Sequence, residues 1–545
     1  MRPVVTSAGA ARATGAGIIG RALAEAGATH AFGIPGGEVL ALIEGLGAAG
    51  IDFVLARHES AAGFMAEGLW HATGALPVLV ATLGPGVANA VNVVANASQD
   101  RVPLIFLSGC IEAAMAESYT HQVVDHRAML RPVVKASLRA EKHAVGVTIA
   151  KAIAIAREGQ PGPVHVDVPT DVAESAAEDG RAVPPPTAVF APPAHEDGLR
   201  IASEMLAAAE RPVAIAGLDA LNEAAAAELA AFCHAQGVPL VTTYKAKGLL
   251  SERDPLALGC AGLSPKADAI LMPLIAASDC LVLVGYDPIE MRAGWRHPWG
   301  PDKPVIELAG VERRHGMHGV TLDLRGAIAP SLARLAGVPR RGRRWPDGEP
   351  ALARERLAGA FAAEGFGPAA IFHALRAAMP EGAVATADSG AHRILFSHVW
   401  RCHGSRQLLQ STGFCTMACA VPLAAGFRLG RPDTPVLAVV GDAGLEMGLG
   451  ELATLRDLGL AVIVVVLVDG KLALIDMKQR ASGRPRSGVD FGSSDLPAVA
   501  RAMGGCGAWI DDLESLDAEI AAALDRGSFT LLACRIGPEA YDGAF

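Results

Sequence analysis

Two aspartates, Asp442 and Asp469, have the types and spacing that most directly imply chemistry. Residues 434–440 form a short β-branched run ending in Gly441-Asp442-Ala443-Gly444, which reads as a buried parallel strand delivering a carboxylate to its C-terminal edge. Residues 446–458 read as one helix, and the apolar run 460–468 reads as a second buried strand, again ending in an acid. A right-handed crossover between two such strands puts both acids on one sheet edge, although 27 positions separate them in sequence. Paired acids repel unless a cation lies between them, and a small set of hard oxygen ligands suits a magnesium ion that also holds a diphosphate. Ala443 and Gly444 offer unhindered amides at a helix start, which is an anion site. Taken alone, either acid is explained by helix capping; the pair at this spacing is more specific.

The elements that must position these acids repeat along the chain. Short apolar strands at residues 30–34, 53–55, 77–82, 103–108 and 163–168 alternate with helical stretches, the pattern of a parallel sheet covered by helices. A proline-rich run, 183–193, interrupts it. Strands at 213–216, 239–242, 280–284 and 305–308 make a second block, closed by Arg340-Arg-Gly-Arg-Arg-Trp-Pro346, which reads as a charged, exposed connector. The third block begins near residue 351 and carries the two acids. The partition is 1–183, 194–338 and 350–545, three α/β domains each built on a doubly wound parallel sheet.

Gly441-Asp442-Ala443 followed by Asp469 resembles the signature of the thiamin-diphosphate-dependent enzymes: Gly-Asp-Gly, a helix and strand, then Asn or Asp. Ala443 departs from it, so either the backbone there avoids positive φ or the loop is shifted. The resemblance implies that the three blocks are pyrimidine-binding, central and diphosphate-binding domains. It also implies bound thiamin diphosphate and Mg²⁺, with Asp442, Asp469 and the backbone carbonyl of Lys471 on the metal. Gly441, Gly444, Leu472, Ala473 and Leu474 would then lie along the cofactor.

The first block carries what that resemblance requires. Arg57-His58-Glu59 follows a strand and opens a helix, where the family has its cofactor-activating glutamate. An acid on the apolar edge of a packed helix is unfavourable unless something bonds it, and that setting keeps a proton available to share with a ring nitrogen. The alternative for Glu59 is a solvent-facing residue favoured by the helix dipole. Pro35-Gly36 resembles the loop over the aminopyrimidine, and Thr82-Leu83-Gly84 through Asn89 resembles a second glycine-rich loop. Gly84-x-Gly86 lacks the third glycine of a dinucleotide fingerprint, so a nicotinamide site is rejected. His121-Gln122 resembles the acetolactate synthase branch, whose glutamine lies beside the reacting carbonyl; His121 reads equally as a solvated loop residue.

In the third block, Asp388, Gly390, Ala391 and His392 resemble a strand-end loop that donates to the diphosphate. Cys415 and Met417 fall where the family has an apolar wedge under the thiazolium, with Met417 as its match. In the middle block, residues 241–248 and 285–290 resemble the catabolic, flavin-free acetolactate synthases, so FAD is not expected. Relative to the biosynthetic enzymes of that branch, Thr170 replaces a lysine, Leu474 a methionine and Lys478 a tryptophan. Thr170 and Lys478 are therefore candidate substrate contacts; a site-facing lysine favours a second anionic group, while a solvated helix lysine is the plainer reading.

Composition narrows the field. A formal charge of −10 without a basic patch argues against nucleic acid and anionic membranes as partners. Nine scattered cysteines without Cys-x-x-Cys describe neither a disulfide framework nor a zinc site, and Cys415 and Cys419 read as small core residues. No apolar run approaches the ~20 residues of a membrane span, and residues 1–15 contain no apolar targeting segment, so a cytoplasmic enzyme is expected. The activity implied is decarboxylation of a small-molecule 2-oxo acid with carboligation of the enamine to a second carbonyl. Simple decarboxylation of a larger 2-oxo acid and a silent cofactor-binding protein are the alternatives. The resemblance also implies a homodimer or homotetramer with active sites between subunits.

Overall fold

A computed structural model describes residues 14–115, 118–176, 191–312, 315–340, 342, 344–363, 365–492 and 494–545. The proline run 183–186 and the N-terminal residues 1–13 lie outside the described residues. The chain divides into two compact units, Met1–Ala188 and Val189–Phe545.

The first unit is built on β1 (His30–Ile34), β2 (Asp52–Leu55), β3 (Val78–Ala81), β4 (Ile105–Cys110), β5 (Ala136–Arg139) and β6 (Val164–Pro169), in the order β2-β1-β3-β4-β6-β5. The second unit holds two sheets. One comprises β7 (Pro212–Ala216), β8 (Leu240–Thr242), β9 (Ala257–Cys260), β10 (Cys280–Val284), β11 (Val305–Ala309) and β12 (Leu322–Arg325), in the order β12-β11-β10-β7-β8-β9. The other comprises β13 (Val384–Ala387), β14 (Leu408–Gln410), β15 (Val436–Gly441), β16 (Val462–Val468), β17 (Cys506–Ile510) and β18 (Thr530–Arg535), in the order β14-β13-β15-β16-β18-β17. Neighbouring strands are parallel throughout.

The first and third sheets have the same strand order, and the middle one has the doubly wound 3-2-1-4-5-6 order. In the first and third, the connections reverse direction between the first and third strands, which opens a crevice at the strands' C-terminal ends. The central strands need apolar residues on both faces because helices cover both; β16, Val-Ile-Val-Val-Val-Leu-Val, is buried along its whole length. Its pairing with β15 sets Val440 beside Val466 and Gly441 beside Leu467.

Two expectations are corrected. The single helix expected over 446–458 is two short ones, Asp442–Met447 and Glu451–Asp457. Gly448 and Gly450 weaken the helix between them, and a side chain at Gly448 would press on Ala418 Cβ at 3.2 Å. The connector at 340–346 is not simply exposed: Trp345 is buried and its indole N–H donates to Pro212 O at 2.9 Å, while the buried Arg344 donates through Nε to Gln236 O at 3.1 Å. Among the described residues, no helix is long and apolar enough to cross a membrane.

Candidate active site

In the first unit the candidate residues gather at the C-terminal edge around β1 and β3. Glu59 begins the helix Glu59–Thr73, capped by the His58 side chain, and is only 6% exposed. The helix is rich in Ala and Gly, so the helix Pro85–Gln99 approaches closely; a Cβ on Gly63 would stand 2.5 Å from Val93 Cγ1. That approach brings Asn89 Nδ2 to 3.0 Å from Glu59 Oε2, while Ser60 Oγ donates to the Asn89 carbonyl at 2.7 Å. The buried carboxylate therefore has the partner its burial demands.

Gly36, next to Pro35, lies against Thr82: a Cβ there would fall 2.3 Å from Thr82 Oγ1, which itself donates to Glu38 Oε2 at 2.7 Å. Gly84 has φ +64° and ψ −104°, and a Cβ would strike the Gln122 carbonyl at 2.2 Å, so only glycine fits this turn. Gln122 is itself at φ +59°; it and His121 are exposed. Thr170 opens a short helix after β6 and is half-buried.

In the second unit a cavity of about 140 Å³ opens where β13, β15 and β16 end. Its lining includes Gly390, Ala391, His392, Met417, Gly441, Asp442, Ala443, Gly444, Asp469, Lys471, Leu472, Ala473 and Leu474. Asp442 is 2% exposed and accepts three backbone N–H groups: Ala443 at 2.9 Å on Oδ1, and Gly470 at 2.8 Å and Asp469 at 3.2 Å on Oδ2. The 470–472 turn is held from outside by Leu472 N–H on Val489 O and Phe491 N–H on Gly470 O.

Burial first, and then the neighbouring Asp442, push the Asp469 carboxyl up to about 7; burial raises Asp442 as well, against its three amide donors. Two acids that resist joint ionisation at the wall of a cavity fit a divalent cation. The phosphate side fits too. Ala443 is helical rather than left-handed, so its methyl costs nothing in backbone strain. The position that demands glycine is Gly444, where a Cβ would lie 2.2 Å from Asp388 Oδ2.

Asp388 is fully buried and sits under the loop: Oδ1 lies 2.8 Å from His392 Nε2, and Oδ2 accepts Ala418 N–H at 2.8 Å. Cys415, at φ +55°, is exposed and absent from the cavity lining, while Cys419 is buried; of the two expected core cysteines only Cys419 is one. Lys478 is exposed on the helix Ala473–Ala481, one turn beyond the cavity-lining Leu474.

Ser389, within the expected 388–392 loop, also lines the cavity, and so do Leu467, Ile475 and Tyr541, which were not read from the sequence as site residues. Tyr541 comes from the C-terminal tail, where no periodic run marks it. The buried Asp476 was likewise missed: it pairs with Arg480 at 3.1 Å, Lys471 at 3.5 Å and Arg486 at 2.6 Å, and so anchors the helix that follows the acids. Its i,i+4 spacing to Arg480 was the available signal.

Three family models of thiamine pyrophosphate enzymes match the chain: the N-terminal TPP binding domain over residues 13–129, the central domain over 199–335 and the C-terminal TPP binding domain over 388–534. The chain belongs to the thiamine pyrophosphate enzyme family. Among its relatives, the acetolactate synthase isozyme 1 large subunit of Escherichia coli is 29% identical over 86% of this chain and 84% of its own length. A probable 2-ketoarginine decarboxylase, AruI, of Pseudomonas aeruginosa is 31% identical over 94% and 92%. Acetolactate synthase of Bacillus subtilis is 27% identical over 92% and 89%.

Proposed function

We propose that this protein decarboxylates a 2-oxo acid and joins the product fragment to a second carbonyl, using thiamin diphosphate and Mg²⁺. The observation that carries the reading is the meeting of Asp442 and Asp469 at the cavity bounded by Gly444 and Met417. Asp442, Asp469 and the Lys471 carbonyl would hold the metal. The amides of Gly390, Ala391 and Gly444, with His392, would hold the diphosphate, and Met417 would support the thiazolium. When bound, the cofactor supplies the carbon nucleophile and the electron sink for decarboxylation.

The remaining roles belong to the chain. Glu59, held by Asn89, would exchange a proton with the aminopyrimidine ring, with Pro35, Gly36, Thr82 and Gly84 shaping the wall around it. Gln122 and His121 would meet the substrate carbonyl, and Thr170 and Lys478 its far end. One cofactor needs both groups of residues, so the smallest competent assembly we propose is a homodimer in which one copy's Glu59 region completes the other's diphosphate half. We assign it to the cytoplasm, with the domain partition 1–183, 194–338 and 350–545, and without FAD.

A second reading, decarboxylation without ligation, is favoured by the resemblance to the probable 2-ketoarginine decarboxylase over nearly the whole chain. The exposed Lys478 disfavours a cationic substrate tail such as a guanidinium. A paired assay with pyruvate and larger 2-oxo acids, following carbon dioxide and acetoin-type colour together, separates these readings. Both signals support carboligation, carbon dioxide alone supports the second reading, and neither signal overturns both.

A further inference from the structure

Beneath the Gly84 turn runs a buried polar chain that the roles above leave unused. His126 Nε2 lies 2.9 Å from Gly84 N, and His126 Nδ1 lies 2.8 Å from Asp167 Oδ1. Ser108 Oγ lies 2.6 Å from the same carboxylate oxygen and 2.8 Å from His165 Nε2, and His165 Nδ1 lies 2.8 Å from Ser137 Oγ. Ser108 and His165 are fully buried, and His126 and Asp167 nearly so.

The protons in this chain can be placed from one end. An amide N–H only donates, so His126 Nε2 must be its bare nitrogen, and Nδ1–H donates to Asp167. Ser108 O–H also donates to Asp167, which leaves its oxygen to accept from His165 Nε2–H, and His165 Nδ1 then accepts from Ser137. Every donor has an acceptor when both imidazoles are neutral and Asp167 is charged. Burial raises the Asp167 carboxyl, but the hydrogen bonds from His126 and Ser108, with the His165 ring close by, outweigh it and hold the carboxyl well below the usual carboxylate range; burial lowers His165.

Two histidines and a carboxylate could in principle bind a metal. Bonds of ~2.0–2.2 Å around a tetrahedral ion would spread the ligand atoms to about 3.3 Å. The 2.8 Å between His126 Nδ1 and Asp167 Oδ1 is that of a hydrogen bond, and Ser108 Oγ, bonded to both His165 Nε2 and Asp167 Oδ1, already occupies the third corner.

The turn that His126 holds leads directly to the proton-transfer residue. A Cβ on Gly86 would stand 3.5 Å from Glu59 Oε1, and Asn89 bonds Glu59 Oε2. We propose that His126 and Asp167 are positioning residues: Asp167 fixes His126 in its Nδ1–H form, and His126 Nε2 holds the Gly84 amide and so sets the segment that presents Gly86 and Asn89 to Glu59. This rests on the proton-transfer reading of Glu59.

The test pairs a tautomer measurement with two near-isosteric substitutions. Nitrogen-15 spectra of the histidine-labelled protein, without cofactor, are expected to show His126 with a protonated Nδ1 and a bare Nε2; a protonated Nε2 overturns the proposal. His126→Gln keeps an acceptor for Gly84, whereas His126→Asn keeps only a donor for Asp167. We expect His126→Asn to slow hydrogen–deuterium exchange at C2 of bound thiamin diphosphate at least about ten-fold, with little change in cofactor affinity, and His126→Gln to restore most of the rate. Equal rates in both variants, whether normal or slowed, overturn the positioning role. Absence of exchange in the unaltered protein would instead sink the reading of Glu59, and the tautomer would still decide the relay.

Discussion

Asp442 Oδ2 lies 2.8 Å from the amide nitrogen of Gly470, so the loop after β15 is tied to the loop after β16 by a carboxylate and not by strand pairing. This bond fixes the separation of the two acids before any metal arrives. Preorganisation of this kind lowers the cost of binding the ion.

Replacing both acids by amides, Asp442→Asn with Asp469→Asn, should therefore abolish Mg²⁺-dependent retention of thiamin diphosphate. The charge that offsets the cation is lost while the shape is kept. Stoichiometric cofactor remaining after dialysis would contradict the assignment.

The raised Asp469 carboxyl predicts a proton release. Its folded-state value of about 7 lies above the 3.8 of an ordinary aspartate. Between these values the folded metal-free protein keeps a proton that the unfolded chain has lost. The contribution of this group to stability is thus fully present below the lower value and falls as pH rises through the window. Mg²⁺ should displace that proton and flatten the slope. Calorimetry near pH 6 in buffers of different ionisation enthalpy would measure the released proton; buffer-independent heats would contradict the prediction.

Gly444→Ala should destabilise the protein by ~1–3 kcal/mol, because the new methyl meets a carboxylate already committed to His392 and to the Ala418 amide. Ala443→Gly, at a helical position, should cost no more than ~1 kcal/mol. Thermal melts of the two variants check the contrast, which equal melting points would remove.

Much of this arrangement was legible in the sequence because buried parallel strands announce themselves. Residues 30–34 and 280–284 coincide with β1 and β10, and Asp442 and Asp469 stand directly after β15 and β16, at the expected edge. Missing from the first two blocks were β5, β9 and β12, all of them edge strands. β5 is half-exposed throughout and β12 mixes exposed and buried positions, so neither carries a continuous apolar run. Contacts between distant residues were also invisible. His126 and Asp167 stand 41 positions apart and are joined only by how β6 and the Gly84 turn pack. Asp388 read as a phosphate-side loop residue, but its burial beneath His392 depends on the approach of the 416–418 segment, which no local pattern encodes.

The protein should be colourless as purified and fully active without added FAD, since residues 285–290 resemble the flavin-free branch. Absorption spectra of the purified protein check this. Tight flavin at one per subunit would contradict it.

The most direct test of the whole account is hydrogen–deuterium exchange at C2 of bound thiamin diphosphate in the unaltered protein and in Glu59→Gln. Glutamine keeps the size of Glu59 and a bonding partner for Asn89, but it cannot exchange a proton with the ring. Exchange is expected to slow by ~10²- to 10⁴-fold with folding and cofactor binding intact. Equal rates would reduce Glu59 to a helix-start residue and contradict the proton-transfer role on which the proposed function rests.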